Sequence, residues 1–301
     1  MTFDVVIPSN RPFSEITQLL ASLTDLKRVG LAQCIIVFNP SNSVLSEELI
    51  VEKDFKIIQL HEKKASVNRA RNAGLLYSKS DFVLFLDSDC VVESVDSIQK
   101  MILAITNNEN YLAVGGYYRA HKSELTYFQR IYFLTQNHWV NSGETDKHLA
   151  KYLLGGFFML NRKKAIEHNL LFDDKMIFGG TEKEFFLRAG ASGFTFKLLD
   201  IVVLHIYDQS AWQYLLKVYK QGRGHRYIEK KLQVSKNYTS EEKKIREYFV
   251  FKYIFWMGYY FYDGRYLAYL YFILNNIFSY FNNVRYKWLD KIKKDLEKMN
   301  E

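Results

Sequence analysis

Two aspartates one residue apart, Asp87 and Asp89, follow directly on the apolar run Phe82-Val83-Leu84-Phe85-Leu86. A continuous apolar run of strand length predicts a strand buried on both faces, which belongs in a parallel or mixed sheet. Ligands of such sheets sit beyond the carboxyl ends of the strands. If the extended backbone continues through Ser88, both carboxylates share one side of the chain, where a hard divalent cation and its bound phosphates can meet them. An Asp-rich turn would read the same in these three residues, so the flanks decide. Further on, Gly179-Gly180-Thr181 feeds a helix whose first turn carries Glu182 and Glu184, acids that complement the helix dipole. Beyond it, Arg223, His225 and Arg226 are interleaved with Gly222 and Gly224, a pattern that predicts a flexible basic loop.

The elements that must position these residues read as follows. Phe3 to Pro8 is a short apolar strand ended by the polar turn Ser9-Asn10-Arg11-Pro12, and Ile16, Leu19, Leu20 and Leu23 fall on one helix face. Cys34 to Phe38 and Phe55 to Leu60 predict two more strands, and Ala65 to Tyr77 a helix carrying Arg69, Arg71 and Asn72. Strands alternating with helices over the first 110 residues predict a doubly wound α/β sheet. Ala113 to Tyr118 reads as a strand, Thr126 to Val140 as an aromatic and mostly helical stretch, and Ser142 to Lys147 as a loop. Leu153 to Leu160 is an apolar run containing Gly155-Gly156, followed by a short helix over Arg162 to His168. Phe194 to Leu204 reads as two short extended segments ending at His205, and Trp212 to Tyr219 starts a helix.

The chain of 301 residues holds one large domain, or one domain and an appendage. Its net charge of +8 points to an anionic partner: a nucleotide diphosphate, a lipid surface or a nucleic acid. Cys34 and Cys90 lie in or beside apolar runs and read as buried thiols, which fits a reducing cytoplasm. The opening Met1-Thr2-Phe3-Asp4 runs straight into a strand without the pattern of a signal peptide, so a cytoplasmic protein is expected. Sixteen of the 33 residues from 249 to 281 are aromatic, but Asp263-Gly264-Arg265 interrupts them, so helices lying on the core or in a membrane interface are expected rather than a spanning helix. The tail 285–301 reads as an amphipathic Lys-rich helix with Trp288, Ile292, Leu296 and Met299 on its apolar face. No recognisable nucleic-acid-binding module is present.

Taken in order, Val5-Val6-Ile7-Pro8-Ser9, Ala70-Arg71-Asn72-Ala73-Gly74 and Phe85-Leu86-Asp87-Ser88-Asp89 resemble the nucleotide-sugar-binding half of the family 2 glycosyltransferases of the GT-A fold. Gly155-Gly156-Phe157-Phe158-Met159, Phe172-Asp173-Asp174 and Gly179-Gly180-Thr181-Glu182-Lys183-Glu184 resemble its acceptor-side segment, and the likeness runs over about residues 3–226. The resemblance implies a GT-A-like doubly wound mixed sheet over 1–207, with a nucleotide-sugar-binding half at 1–110 and an acceptor-side half at 111–207. A helical, aromatic-rich region at 208–301 follows, as a membrane-surface or dimerisation element. It implies inverting transfer of a sugar from a nucleoside-diphosphate donor, with UDP the first choice, to a carbohydrate or lipid-linked hydroxyl. The setting implied is bacterial surface polysaccharide or glycolipid synthesis, at the inner face of the plasma membrane.

By the same resemblance Asp89 is a ligand of Mn2+ or Mg2+, Asp87 its support, and His205 a further metal ligand. Donor contacts fall on Pro8, Ser9, Arg11, Asn39, Arg71, Asn72, Asp87, Ser88, Asp89, Arg223 and Arg226. Acceptor-side positions are Gly155, Gly156, Gly180 and Thr181. Glu182 takes the catalytic-base position and Glu184 that of the second acid. The chain departs from the family pattern twice. Thr181-Glu182 stands where the family usually has Glu-Asp, and Phe38-Asn39, with Ser43 beyond, stands where an Asp-Asn pair helps to read the base. Two rivals follow: a catalytically silent binding or assembly protein, and a sugar nucleotidyltransferase. Against the latter, Pro8-Ser9-Asn10-Arg11-Pro12 occupies the place of that class's glycine-rich loop.

Overall fold

The apolar residues of Phe3-Asp4-Val5-Val6-Ile7 make a strand, β1 (Phe3–Ser9), in which every residue is buried. Burial on both faces requires layers above and below, and the rest of the chain supplies them. The computed structural model describes residues 1–39, 48–51, 55–121, 149–176, 179–207 and 210–232. It also describes 125–126, 129, 132–133, 136–137, 140, 144–145, 254 and 257. Ser43, the tail 285–301 and all of 249–281 except Ile254 and Met257 lie outside the described residues.

The strands after β1 are β2 (Leu31–Phe38), β3 (Glu48–Val51), β4 (Lys56–His61), β5 (Phe82–Leu86), β6 (Cys90–Val91) and β7 (Tyr111–Ala120). They continue with β8 (Glu144–Thr145), β9 (Leu149–Ala150), β10 (Phe157–Asn161) and β11 (Thr195–His205). The helices are α1 (Thr17–Ser22), α2 (Val67–Tyr77), α3 (Val95–Asn107), α4 (Arg162–Glu167), α5 (Thr181–Ala191) and α6 (Ala211–Leu232). Among the described residues the strands form one mixed sheet in the order β3-β4-β2-β1-β5-β10-β7-β11-β9-β8, with β6 paired to β11.

β4, β2, β1 and β5 run parallel, β10 runs against both β5 and β7, and β11 is parallel to β7. The carboxyl ends of β1, β2, β4, β5, β7 and β11 therefore share one edge of the sheet with the amino end of β10. The predicted central strand is β5, fully buried between β1 and β10. This is the doubly wound mixed sheet expected for a GT-A fold.

One buried carboxylate, Asp4, fixes where β5 begins. It accepts hydrogen bonds from the hydroxyls of Ser78 and Ser80, the backbone N–H groups of Lys79 and Ser80, and the Gln33 amide. Five donors compensate the charge without a counterion. The turn between α2 and β5 is thereby tied to β1. An aromatic layer seats α5 on the other side: Phe172 stacks on Phe185 at 4.4 Å, Phe85 on Phe158 at 4.9 Å, and Phe186 meets Phe158 edge-on.

Three expectations change. Within 142–147, expected as a loop, Glu144–Thr145 form the short strand β8 paired to β9. Thr195–His205 form one strand rather than two segments, with a register shift between Leu198 and Val202. Gly222-Arg223-Gly224 is not a loop but the middle of the 22-residue helix α6. A Cβ at Gly224 would lie 1.7 Å from the Gly179 carbonyl oxygen, so this glycine serves close helix packing rather than flexibility.

Candidate functional site

Asp87 and Asp89 leave the end of β5 at the shared strand edge, half-buried, with Ser88 between them. The backbone N–H of Asp87 donates to the Gly156 carbonyl, continuing the β5–β10 pairing one residue past the strand. The floor is the Gly155–Gly156 turn. A Cβ at Gly156 would stand 2.4 Å from both the Asp87 Oδ2 and the Tyr118 hydroxyl, and one at Gly155 3.0 Å from Glu182 Oε2. Only glycine lets the carboxylates of Asp87 and Glu182 approach this turn.

Arg71, on α2 and only 3% exposed, joins the two halves of the site. Its Nη2 donates to Asp87 Oδ1 at 3.3 Å and to the Gly155 carbonyl at 2.9 Å, and its Nη1 lies 3.4 Å from the Thr181 hydroxyl and 3.8 Å from Glu182 Oε2. Thr181 in turn donates to Glu182 at 2.9 Å. Gly180 makes this possible, because its φ of +84° turns the chain into α5 in the left-handed region that favours glycine.

At the other end of the site, His205 closes β11 with 4% exposure and puts Nε2 3.3 Å from Asp89 Oδ1. Neither that carboxylate oxygen nor His205 Nδ1 finds a hydrogen bond among the described residues, although both are buried. Burial, helped by the charge of Lys217, pushes the His205 pKa down to about 3, so the ring is neutral near pH 7. Burial raises the pKa of both Asp87 and Asp89; Arg71 opposes it at Asp87, and Lys217 and Arg11 at Asp89. Arg11 Nη2 is 3.9 Å from Asp89 Oδ2, with its loop held by the Ser9 hydroxyl.

The Nε2 of a neutral imidazole and a buried carboxylate oxygen that lacks a hydrogen bond, 3.3 Å apart, fit two ligands of one hard divalent cation, with Nδ1 on the far side of the ring also unbonded. Cys90 lies close enough to be a third ligand, but burial pushes its thiol up and the thiol donates to the Gly156 carbonyl. That makes it a poor ligand for a hard ion.

Several expected positions do other work. The Asn39 amide donates to the Lys64 carbonyl at 2.6 Å and accepts from the Ser66 N–H at 2.7 Å, so it holds a turn rather than presenting itself to a base. Asn72 exchanges two hydrogen bonds of 2.8 Å with the backbone of Phe172. Pro8 is buried in β1 beside Val37. Glu184 is 0% exposed and bound by Arg188 at 2.9 Å and Lys231 at 2.8 Å, so it faces away from Gly155 into an internal ion cluster. Arg226 pairs with Glu229 at 3.6 Å on α6 and, like Arg223, is helical.

Three residues of the site have no local signal in the sequence. The Tyr118 hydroxyl accepts from the Gly156 N–H at 2.9 Å, and its ring lies 4.6 Å from that of His205. Tyr132 packs its ring 5.5 Å from His205 and stacks on Tyr207 at 4.0 Å. Lys217 sets its ammonium over the Tyr132 ring, 4.3 Å from the centroid.

The family model described as glycosyl transferase family 2 matches residues 4–169. That span holds Asp87, Asp89, Gly155 and Gly156 and stops before Glu182 and His205. Glycosyltransferase GlyA of Streptococcus pneumoniae serotype 4 is 30% identical over 100 residues, which are 32% of this chain and 14% of that protein. The chain therefore matches only a small part of this curated relative's length. Among solved structures, the mannosyltransferase PcManGT from Pyrobaculum calidifontis, in complex with GDP-Man and Mn2+, has a TM-score of 0.56 at 12% identity. The match covers 86% of this chain and 69% of that one. TarS 1-349 of S. aureus has a TM-score of 0.53 at 14% identity over 86% and 72% of the two chains. GalNAc-T7 with UDP, GalNAc and Mn2+ gives 0.51 at 18% over 82% and 54%. At these identities the likeness is one of fold.

Proposed function

The chain belongs to glycosyl transferase family 2, and from that premise we propose that it moves a sugar, with inversion, from a nucleoside diphosphate to an acceptor hydroxyl. The observation that carries this reading is the division of the site. Asp89 and His205 set a carboxylate oxygen and an imidazole nitrogen 3.3 Å apart at the strand edge, while Glu182 stands apart across the Gly155 turn, with Arg71 bridging it to Asp87.

Asp89 and His205 would hold the divalent cation. Bound there, Mn2+ or Mg2+ supplies Lewis-acid stabilisation of the charge that develops on the diphosphate. The protein's own groups do the rest. Glu182 accepts the proton of the attacking hydroxyl as that oxygen forms its bond to the anomeric carbon. The bond from that carbon to the phosphate oxygen breaks, and its electron pair leaves with the nucleoside diphosphate. Arg71 and Thr181 hold Glu182 in position and keep its carboxylate apart from Asp87. A UDP-sugar is the first donor to try, since similar solved structures include complexes with UDP as well as one with GDP-Man. The net charge of +8 and the aromatic residues of 249–281 support an acceptor presented at an anionic membrane surface, as in surface polysaccharide or glycolipid synthesis.

Release of nucleoside diphosphate from a panel of UDP- and GDP-sugars with Mn2+ tests the reading. At least one donor is expected to turn over. Glu182→Gln is expected to lower that rate by roughly 10²- to 10⁴-fold while donor binding is kept. If no donor turns over, the reading falls; if Glu182→Gln keeps the wild-type rate, the base is another group.

A further inference from the structure

Lys217 is a charged group of the site to which the transfer scheme gives no task. Its ammonium rests on the Tyr132 face at 4.3 Å and near the Tyr207 ring at 5.9 Å. Among the described residues it meets no hydrogen-bond acceptor and no carboxylate in ion-pair contact. It nevertheless dominates the attraction felt by Asp89 and is itself drawn by Asp89, Asp87 and Glu182. A half-buried lysine ammonium has three N–H donors, and none of them meets an acceptor among the described residues. Ring faces neutralise part of its charge but accept poorly from those donors.

The helix fixes this placement. Lys217, Gln221 and Gly224 lie on one face at spacings of four and seven, and that face packs on the domain: both Gln221 and Gly224 press against Gly179. Farther along, Tyr227 and Lys231 both bond Asp173, and Lys231 also bonds Glu184. α6 is thus pinned in register at its far end, and Lys217 is held toward the carboxylates of the β5 edge. Arg223 and Arg226, the cations expected to clamp the donor, are about 9 and 13 Å farther along the helix axis.

We propose that Lys217, carried by α6 and backed by Tyr132 and Tyr207, is a direct ligand of the donor's diphosphate and stabilises it as the leaving group. This rests on the transferase reading above and adds a second, protein-borne cation to the site. The aromatic wall supports the ammonium from behind, and the diphosphate oxygens supply the acceptors that it lacks. The electron pair of the breaking bond then falls on oxygens already paired with a cation held in place by the rings.

Calorimetry with UDP, GDP and ADP in Mn2+ tests the inference on the wild type, Lys217→Met and Lys217→Arg. Methionine keeps the apolar stem against the rings, and Lys217→Gln serves as a second neutral variant should methionine disturb the helix. The diphosphate that the wild type binds is expected to bind Lys217→Met roughly 10- to 100-fold more weakly, with most of the loss recovered in Lys217→Arg. Mn2+ alone is expected to bind Lys217→Met at least as tightly as the wild type, because a repelling charge has gone; a merely structural lesion would weaken it. Equal diphosphate affinity in the wild type and the neutral variants overturns the inference and leaves the transferase reading standing. Failure of the wild type to bind any of the three diphosphates overturns both.

Discussion

Arg71 shows how much of the site depends on one buried side chain. Its guanidinium reaches Asp87, Thr181, Glu182 and the Gly155 carbonyl at once, from a position only 3% exposed. Lysine is a point charge without the fork that meets several acceptors. Arg71→Lys is therefore expected to leave Asp87 underpaired and to destabilise the fold by about 3 kcal/mol, read by chemical denaturation. A loss below 1 kcal/mol would show that Arg71 is not the joint between the two halves. The aspartates themselves were legible because an apolar run ends in them. The duties of Arg71, Tyr118 and Lys217 were not, because each rests on contacts with residues distant in the chain. The shortfall at Asn39, Asn72 and Glu184 has the same origin: residue type marked them as polar and local, while the fold satisfies all three internally.

At the scale of elements, α6 stands out because its sequence misleads. Two glycines in three residues read as a hinge, yet both are buried and Gly224 lets the helix touch Gly179. Its far end is anchored through Asp173. Burial pushes this carboxyl up, but the hydrogen bonds from Lys231 and Tyr227 outweigh that and hold it below its usual 3.8. With a folded pKa below the unfolded one, the contribution is present above about pH 4 and fades as the pH falls through the folded value. Asp173→Asn is therefore expected to lower the melting temperature at pH 6, by an amount matching roughly 1–2 kcal/mol, and to differ less from the wild type near pH 3. A difference that grows toward acid would contradict the anchoring role. β1, β2, β4, α2 and β5 were legible because apolar runs of strand length alternate there with helical periodicity, whereas β3, β6 and α3 were not named from the sequence. β11 was read as two pieces because Asp200 and the register shift interrupt its pattern.

Over the whole molecule, the mixed sheet gathers the carboxyl ends of six strands and the start of β10 at one edge. Every group of the proposed reaction stands there or on a helix held against it. No described helix is long and apolar enough to cross a membrane. The α/β architecture followed from the alternation of elements, and the family from the order of its short motifs. The resemblance also names Asp89 and His205 as metal ligands, and the fold sets them 3.3 Å apart because β11 ends beside β6 and the end of β5. That pairing is the central claim, and direct titration of Mn2+ with UDP and GDP into the wild type, Asp89→Asn and His205→Ala tests it. The expected result is metal-dependent nucleotide binding in the wild type and a Mn2+ affinity lower by roughly 10- to 100-fold in each variant. Nucleotide binding indifferent to Mn2+, or variants that bind the ion as the wild type does, would contradict it.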